Sequence, residues 1–385
     1  MKKILSVIVA VAVNFVSIMQ FTAFAKESDK PAVNAQACVL YCVDDGKVYF
    51  SVNENKKMKP ASTTKLMTSL LTLEDADSAD KTVTFTKDMT AEGSSMYLKI
   101  GEKVRLSDLA AGMMMASGND AANAAAISIS GSTEKFAELM NKRSAVIGMK
   151  NTHFVTPSGL DDENHYSTAY DMALLMSYAL ENESFAKLTS QKSVTVEFVE
   201  PEPKKTTYTN HNRLLSMYEY CTGGKTGYTM AAGRCLVSSA QKDGLTFVCV
   251  TLNDRNDWND HIALYNYGFS QFACVECDDS DYYFEIPCAG GDDEYISVTG
   301  TKGKNVVVPF DKKSNVERTV YADNFLYAPI KDGDVVGRVD YTLDGRLLAS
   351  TKLVAVEYSN SQNNSQRKNK SIWTKIKEFF TYGKE

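Results

Sequence analysis

Between Asn34 and Cys277 the spacing of apolar residues changes several times, and each change marks an element. "QACVLYCVDDGKVYFSVNE" alternates with a period of two on either side of Asp44-Asp45-Gly46, the pattern of a β-hairpin turning at those residues. "PASTTKLMTSLLTLE", residues 60–74, switches to a helical spacing. Pro60 stands just ahead of the helix, and Ser62, Thr63 and Thr64 are placed to cap its free N–H groups. Leu66, Met67, Leu70, Leu71 and Leu73 supply so wide an apolar surface that the helix must be mostly buried. "LSDLAAGMMMASGNDAANAAAISIS" predicts two helices broken at Ser117-Gly118, and "STAYDMALLMSYAL" predicts another. "RCLVSSA" and "LTFVCVTLN" return to strand as the last pieces of an antiparallel sheet. The pattern is α+β, with helices grouped between strands.

After "ECDDSDYY" the character changes. From Tyr283 to Tyr358, short alternating segments separated by glycine turns predict a small all-β sandwich domain; in "GRVDYTLDGRLLAS", Val339, Tyr341 and Leu343 share one face before an Asp344-Gly345 turn. "SNSQNNSQRKNK" reads as a flexible linker over 359–370, and "SIWTKIKEFFTYGKE" as a terminal amphipathic helix over 371–385.

Composition adds three constraints. A chain of 385 residues, 44% hydrophobic and 23% charged, is long enough for two folded domains, and its net charge of −6 argues against a nucleic-acid partner. Residues 1–25 have the form of a signal peptide: Lys2 and Lys3, an apolar run from Ile4 to Phe24, then the small-x-small site Ala23-Phe24-Ala25. The mature chain then begins near Lys26, outside the cytoplasm. A retained membrane span is the alternative, opposed by Asn14, Ser17 and Gln20 within the run. The eight cysteines lie mostly in strand-like apolar runs and read as small buried residues; pairing of Cys38 with Cys42, or Cys274 with Cys277, stays open. No histidine cluster accompanies them, so neither a metal nor a cofactor is expected.

The chemistry begins with one charge in an apolar helix. Lys65 follows Ser62 by three residues, so its amine lies on the same helical face as the hydroxyl. Burial and the positive end of the helix dipole disfavour an ammonium there, and a neutral amine beside a serine is a general base beside a nucleophile. Two further motifs follow: Ser117-Gly118-Asn119 at the helix break, and Lys225-Thr226-Gly227 entering a strand. A phosphate-binding loop ending at Gly224-Lys225-Thr226 would need glycine where Glu219 stands, and no Gly-x-Ser-x-Gly elbow occurs for a Ser-His-Asp hydrolase. The four histidines accordingly read as structural.

The ordered trio Ser-x-x-Lys, Ser-x-Asn and Lys-Thr-Gly, with "PASTTKLMT", "SGNDAANA", "NTHFVTPSGL", "HYSTAYDMA" and "GGKTGYT", resembles the low-molecular-mass penicillin-binding proteins, the serine D-alanyl-D-alanine carboxypeptidases. The resemblance covers residues 34–275. It implies a penicillin-binding protein/serine β-lactamase-like transpeptidase domain over 26–277, a β domain over 283–358 and a tail lying on the outer face of the cytoplasmic membrane. It also implies removal of the terminal D-alanine from peptidoglycan stem peptides, with β-lactams as inhibitors. Ser62 would be the nucleophile, Lys65 its base, Ser117 a proton relay, and Asn119 a ligand for a substrate carbonyl or for Lys65. Lys225 would add positive potential, the N–H groups of Ser62 and Tyr228 an oxyanion hole, and Gly227 room for a peptide to pass close by. Arg213, in "HNRLL", matches a family arginine and with Thr226 would bind the substrate carboxylate; a second family arginine has no clear counterpart, Arg255 being in uncertain register. The rival readings are a serine β-lactamase, whose Glu-x-x-Leu-Asn string does not occur between Asn119 and Lys225, an endopeptidase or transpeptidase of the same fold, and a non-catalytic wall-binding protein.

Overall fold

The computed structural model describes residues 30–291 and 293–356; the segments 1–25, 359–370 and 371–385 lie outside the described residues. The chain opens with the hairpin of β1 (Ala37–Cys42) and β2 (Lys47–Val52), whose turn is closed by Cys42 opposite Lys47. A 3-10 turn, Ala61–Thr64, then runs directly into α1 (Lys65–Ser78). Its hydroxyls do not cap the helix. Thr63 instead donates to the Pro60 carbonyl at 2.6 Å, and Thr64 meets the ring of His165 at 2.9 Å.

Next come β3 (Thr82–Thr84) and β4 (Lys103–Arg105), then α2 (Leu106–Met115) and α3 (Asn119–Ser130), broken where expected. They are followed by α4 (Thr133–Ile147), α5 (Ala169–Ala179), α6 (Glu183–Thr189), the hairpin β5 (Ser193–Phe198) with β6 (Lys204–Thr209), and the short α7 (Leu214–Met217). The strands β7 (Cys221–Thr229), β8 (Gly233–Lys242) and β9 (Leu245–Leu252), then α8 (Asp257–Gln271) and β10 (Phe272–Val275), complete this stretch.

The main sheet has the order β2-β1-β9-β8-β7, with every neighbouring pair antiparallel. All six residues of β1 are buried because both sheet faces are covered. Side chains on a strand alternate between faces. Val39 and Tyr41 therefore join the core that holds Leu66, Met67 and Leu70 of α1, while Leu40 and Cys42 face Leu264 and Tyr265 of α8. Cys38 and Cys42, four residues apart on an extended strand, are about 13 Å apart and cannot pair; both thiols are unbridged. β7 lies at the sheet edge, and that position matters for the site.

The chain divides into two compact units. The first runs to Val275 and takes in Val306–Ser314, because β13 (Val306–Pro309) returns to pair antiparallel with β10. The second takes in Glu276–Asn305 and the chain from Asn315 onward, and its described residues form a single sheet of β11 (Tyr283–Ala289), β12 (Tyr295–Gly300), β14 (Glu317–Ala322), β15 (Leu326–Tyr327), β16 (Val335–Leu343) and β17 (Arg346–Val356), in the order β14-β16-β17-β12-β11-β15. Val339 and Tyr341 of β16 are buried, and the hairpin to β17 turns at Asp344-Gly345. Buried Asp279 accepts from Arg318, Tyr341 and Thr351, tying β14, β16 and β17 together with its one carboxylate. Among the described residues no helix is long and apolar enough to cross a membrane.

Candidate active site

Three separate pieces of chain meet in one cleft of about 430 Å³: the 3-10 turn with Ser62, the α2–α3 break with Ser117, and the edge strand β7 with Thr226, Gly227 and Tyr228. Lys65 lies behind Ser62 and is completely buried, so it does not extend to solvent from the helix edge. Its Nζ is 2.7 Å from Asn119 Oδ1, 2.7 Å from the Ser158 carbonyl and 3.0 Å from Ser62 Oγ. Burial holds the Lys65 amine well below its ordinary range, the nearby charge of Lys225 adds to that effect, and Asp120 opposes it. A neutral amine has two N–H bonds and one lone pair. Asn119 and Ser158 accept the two bonds, and the lone pair is left for the Ser62 hydroxyl proton.

Lys225, also buried, is pushed by burial down to about 7; its Nζ donates to Ser117 Oγ at 3.1 Å and to the Thr226 carbonyl at 2.8 Å. Ser117 has φ +57°, the left-handed conformation that aims its side chain into the cleft at the helix break. Asn119 donates its amide to the Glu92 carbonyl at 2.6 Å, which fixes the oxygen end toward Lys65.

Gly227 is required for a different reason from the one its sequence suggests. A Cβ there would lie 3.0 Å from the Pro60 carbonyl oxygen and from the backbone nitrogens of Ser62 and Thr63. The missing side chain lets β7 press against the turn that carries Ser62.

Arg213 stands elsewhere than its resemblance to a family arginine suggests. It is exposed at the start of α7 and does not line the cleft. The arginine that does is Arg234, on β8 opposite Tyr228, with its guanidinium gripped by buried Asp257 through Nε at 3.0 Å and Nη2 at 2.6 Å and lying 5.7 Å from the Trp258 ring. Arg255 is exposed and likewise outside the cleft. His211 lines the cleft too, so one histidine read as structural belongs to the site. By contrast, buried His261 bonds Ser238 and Thr251, as a packing histidine would. One signal for Arg234 was available: counting back along the hairpin from the Lys-Thr-Gly strand pairs it with Tyr228.

Asp120 also went unremarked in the sequence, although it fixes part of the cleft wall. Its carboxylate accepts from the Met96 and Leu98 N–H groups and from Ser95 Oγ, and so fixes the segment that brings Ser94 to the cleft. Among the described residues no group of His, Cys, Asp and Glu is arranged to hold a metal ion.

A serine backed by a buried lysine, with a second serine–lysine contact in the same cleft, is an arrangement suited to a serine acyl-enzyme hydrolase. Residues 24–256 match the family model of the S11 peptidases, D-alanyl-D-alanine carboxypeptidase, and residues 278–358 match the C-terminal domain of penicillin-binding protein 5. D-alanyl-D-alanine carboxypeptidase DacF of Bacillus subtilis is 33% identical over 350 residues, 87% of this chain and 90% of that protein. DacC of Escherichia coli is 34% identical over 358 residues, 87% of each chain. The crystal structure of penicillin-binding protein 5 from Haemophilus influenzae is matched with a TM-score of 0.66 at 30% identity, over 85% of this chain and 98% of that one. The chain belongs to the serine-type D-alanyl-D-alanine carboxypeptidase family.

The lysine pair gives the site a testable pH dependence. A Ser62 hydroxyl that gives its proton to Lys65 would need the neutral amine, and an acylation rate depending on it would rise as pH passes upward through the Lys65 pKa. Lys225→Gln removes a neighbouring positive charge that lowers that pKa, so the acid limb should move to higher pH. The gap between wild type and variant should be widest below about pH 7, where Lys225 carries its proton. Acylation rates measured against pH check this, and superimposable acid limbs would exclude the coupling.

Proposed function

We propose that this chain removes the terminal D-alanine from peptidoglycan stem peptides through an acyl-enzyme on Ser62. The observation that carries the reading is the Lys65 amine, sealed from water with both N–H bonds accepted and its lone pair facing Ser62. Ser62 Oγ attacks the carbonyl of the penultimate D-alanine while Lys65 takes the hydroxyl proton. The Ser117 hydroxyl passes a proton to the departing amine, D-alanine leaves, and water then releases the shortened peptide. The oxyanion rests on the Ser62 and Tyr228 N–H groups. Period-two alternation supports Tyr228 in that role: the Gly224 N–H points away from β8 to Thr189 Oγ1 at 2.8 Å, so the N–H groups of Thr226 and Tyr228 lie on the same open edge. The substrate adds there as a further strand, and its terminal carboxylate meets Thr226 and Arg234, with Lys225 contributing positive potential.

Two measurements test this. Intact-mass analysis after benzylpenicillin should give one slowly lost adduct on the wild type and none on Ser62→Ala; an adduct on the variant rejects the nucleophile, and rapid turnover of the drug favours a β-lactamase. Release of D-alanine from a diacetylated Lys-D-Ala-D-Ala peptide should far exceed cleavage of its C-terminal amide, since losing one charged partner costs on the order of 1.5 to 3 kcal/mol, about tenfold or more in rate. Arg234→Ala should erase most of that preference and Arg213→Ala should keep it. Equal cleavage of acid and amide by the wild type would sink the carboxypeptidase reading.

We place the enzyme outside the cytoplasm, a reading supported by the signal-peptide pattern of residues 1–25 and by a peptidoglycan substrate. Its attachment is proposed for residues 371–385: the spacing of Ile372, Trp373, Ile376, Phe379 and Phe380 would put them on one face of a helix, and fifteen helical residues would reach only about 22 Å, enough to lie on a bilayer and too short to span it. Arg367, Lys368 and Lys370 add attraction to anionic lipid. Truncation before Ser371 should move the protein from membrane pellets to the supernatant; unchanged sedimentation refutes the anchor.

A further inference from the structure

The Ser158 carbonyl that accepts from Lys65 belongs to a loop, and a loop is an uncertain support for an atom that must orient a catalytic lone pair. This loop is fastened unusually well. Its base is closed by reciprocal backbone bonds between His153 and Tyr166, at 2.9 and 3.0 Å. Inside it, the ring of His165 reaches in two directions. Nδ1 accepts the N–H groups of Val155 at 3.1 Å and Thr156 at 3.2 Å, and Nε2 lies 2.9 Å from Thr64 Oγ1, one residue before Lys65. Because Nδ1 accepts two hydrogen bonds it carries no proton, so the proton sits on Nε2 and is donated to Thr64.

On the other side of Ser158, Thr68 donates its hydroxyl to the Pro157 carbonyl at 2.6 Å. Gly159, at φ +82°, presses so close to the nucleophile's turn that a Cβ would fall 1.9 Å from the Ala61 carbonyl oxygen. The loop is thus bound to the helix start on both sides of the one carbonyl that touches Lys65.

We propose that His165 is a positioning residue for acylation: its ring ties Thr64 to the Val155–Thr156 backbone and thereby holds the Ser158 carbonyl against the Lys65 amine. This rests on the reading of Lys65 as the base for Ser62. The groups around the ring are Asp161 and Asp162, which favour its protonation, and His153 and Lys59, which oppose it; the Phe154 ring meets it edge-on. Burial outweighs them and pushes His165 down to about 4, so the clamp stays in its neutral form throughout the neutral range. His165 touches neither Ser62 nor the cleft lining, and its effect passes through the loop.

The test uses the full chain and a fluorescent penicillin, with rates counted per titrated active site. For His165→Ala the maximal acylation rate should fall about 10- to 100-fold, the size of effect that a small misplacement of a catalytic group produces. The half-saturating concentration should change little, since the cleft wall is untouched. The acid limb should also move to lower pH, because a carbonyl stabilises the Lys65 ammonium more than the amine, and loosening it removes that preference. His165→Asn, whose amide oxygen can take the place of Nδ1 toward Val155 and Thr156, should recover much of the rate. Thr64→Val keeps the shape of Thr64 while deleting the other bond, and should be slowed; these two variants carry the test if His165→Ala does not fold. Variants that acylate at the wild-type rate with an unmoved acid limb would overturn the proposal and leave His165 a packing residue. A wild type that is not acylated at Ser62 would instead overturn the reading of the site.

Discussion

A lysine amine completely removed from water, with no carboxylate in contact, is the constraint around which the catalytic unit is arranged. A bare ammonium at such a position is expensive to desolvate, and neutralisation is the cheaper outcome. The nearest acid, Asp120, could have supplied a counter-charge. Its oxygens are instead occupied by Met96, Leu98 and Ser95, so it fixes part of the cleft wall and does not reach Lys65. What surrounds the amine is one amide oxygen, one backbone carbonyl and one hydroxyl, a set that suits NH₂ better than NH₃⁺ because one partner can donate. The apolar breadth of α1 follows from the same requirement: Leu66, Met67, Leu70 and Leu71 keep water from the helix that presents Lys65.

Neutrality alone would not make a catalyst, because the three pieces of chain must also approach within hydrogen-bond distance of one another. Two absent side chains allow that approach. Gly227 brings the edge strand against the Ser62 turn, and Gly159 brings the Ser158 loop against the same turn from the other side. The turn itself is held in a less common backbone state, Ala61 having φ +49°. Strain of this kind persists only where surrounding structure over-determines it, and here β7, the loop and the start of α1 all bear on four residues.

Much of the architecture was legible because it is local. The period-two segments became β1, β2, β8 and β9, the break at Ser117-Gly118 became the gap between α2 and α3, and three residues of helical spacing put Lys65 beside Ser62. The Thr63 and Thr64 hydroxyls misled as caps because their partners, Pro60 and His165, include one more than a hundred residues away in sequence. Arg213 misled for a related reason. Its match to a family arginine suggested the site, but the register of β8 against β7 is what sets Arg234 opposite Tyr228 in the cleft lining and gives it Asp257 as a holder. His211 enters the cleft by the same kind of long-range placement. Gly227 was read as clearance for substrate, whereas the crowded atoms belong to the protein.

The open edge of the sheet closes the argument. An unpaired edge strand invites association with any extended chain, and proteins usually blunt such edges with charge, bulges or cover. β7 is blunted at its start by a bulge between Cys221 and Gly223 and by Thr189, which takes up the outward Gly224 N–H. Beyond that point the edge is left open for the few residues that face Ser62, while Lys225 and Arg234 set positive charge beside it. Long apolar strands find no footing on so short an exposure. On the proposed reading, a short peptide ending in a carboxylate would meet backbone partners, a compensating charge and Ser62 in one cleft, so that the choice of substrate and the protection of the edge would come from one piece of geometry.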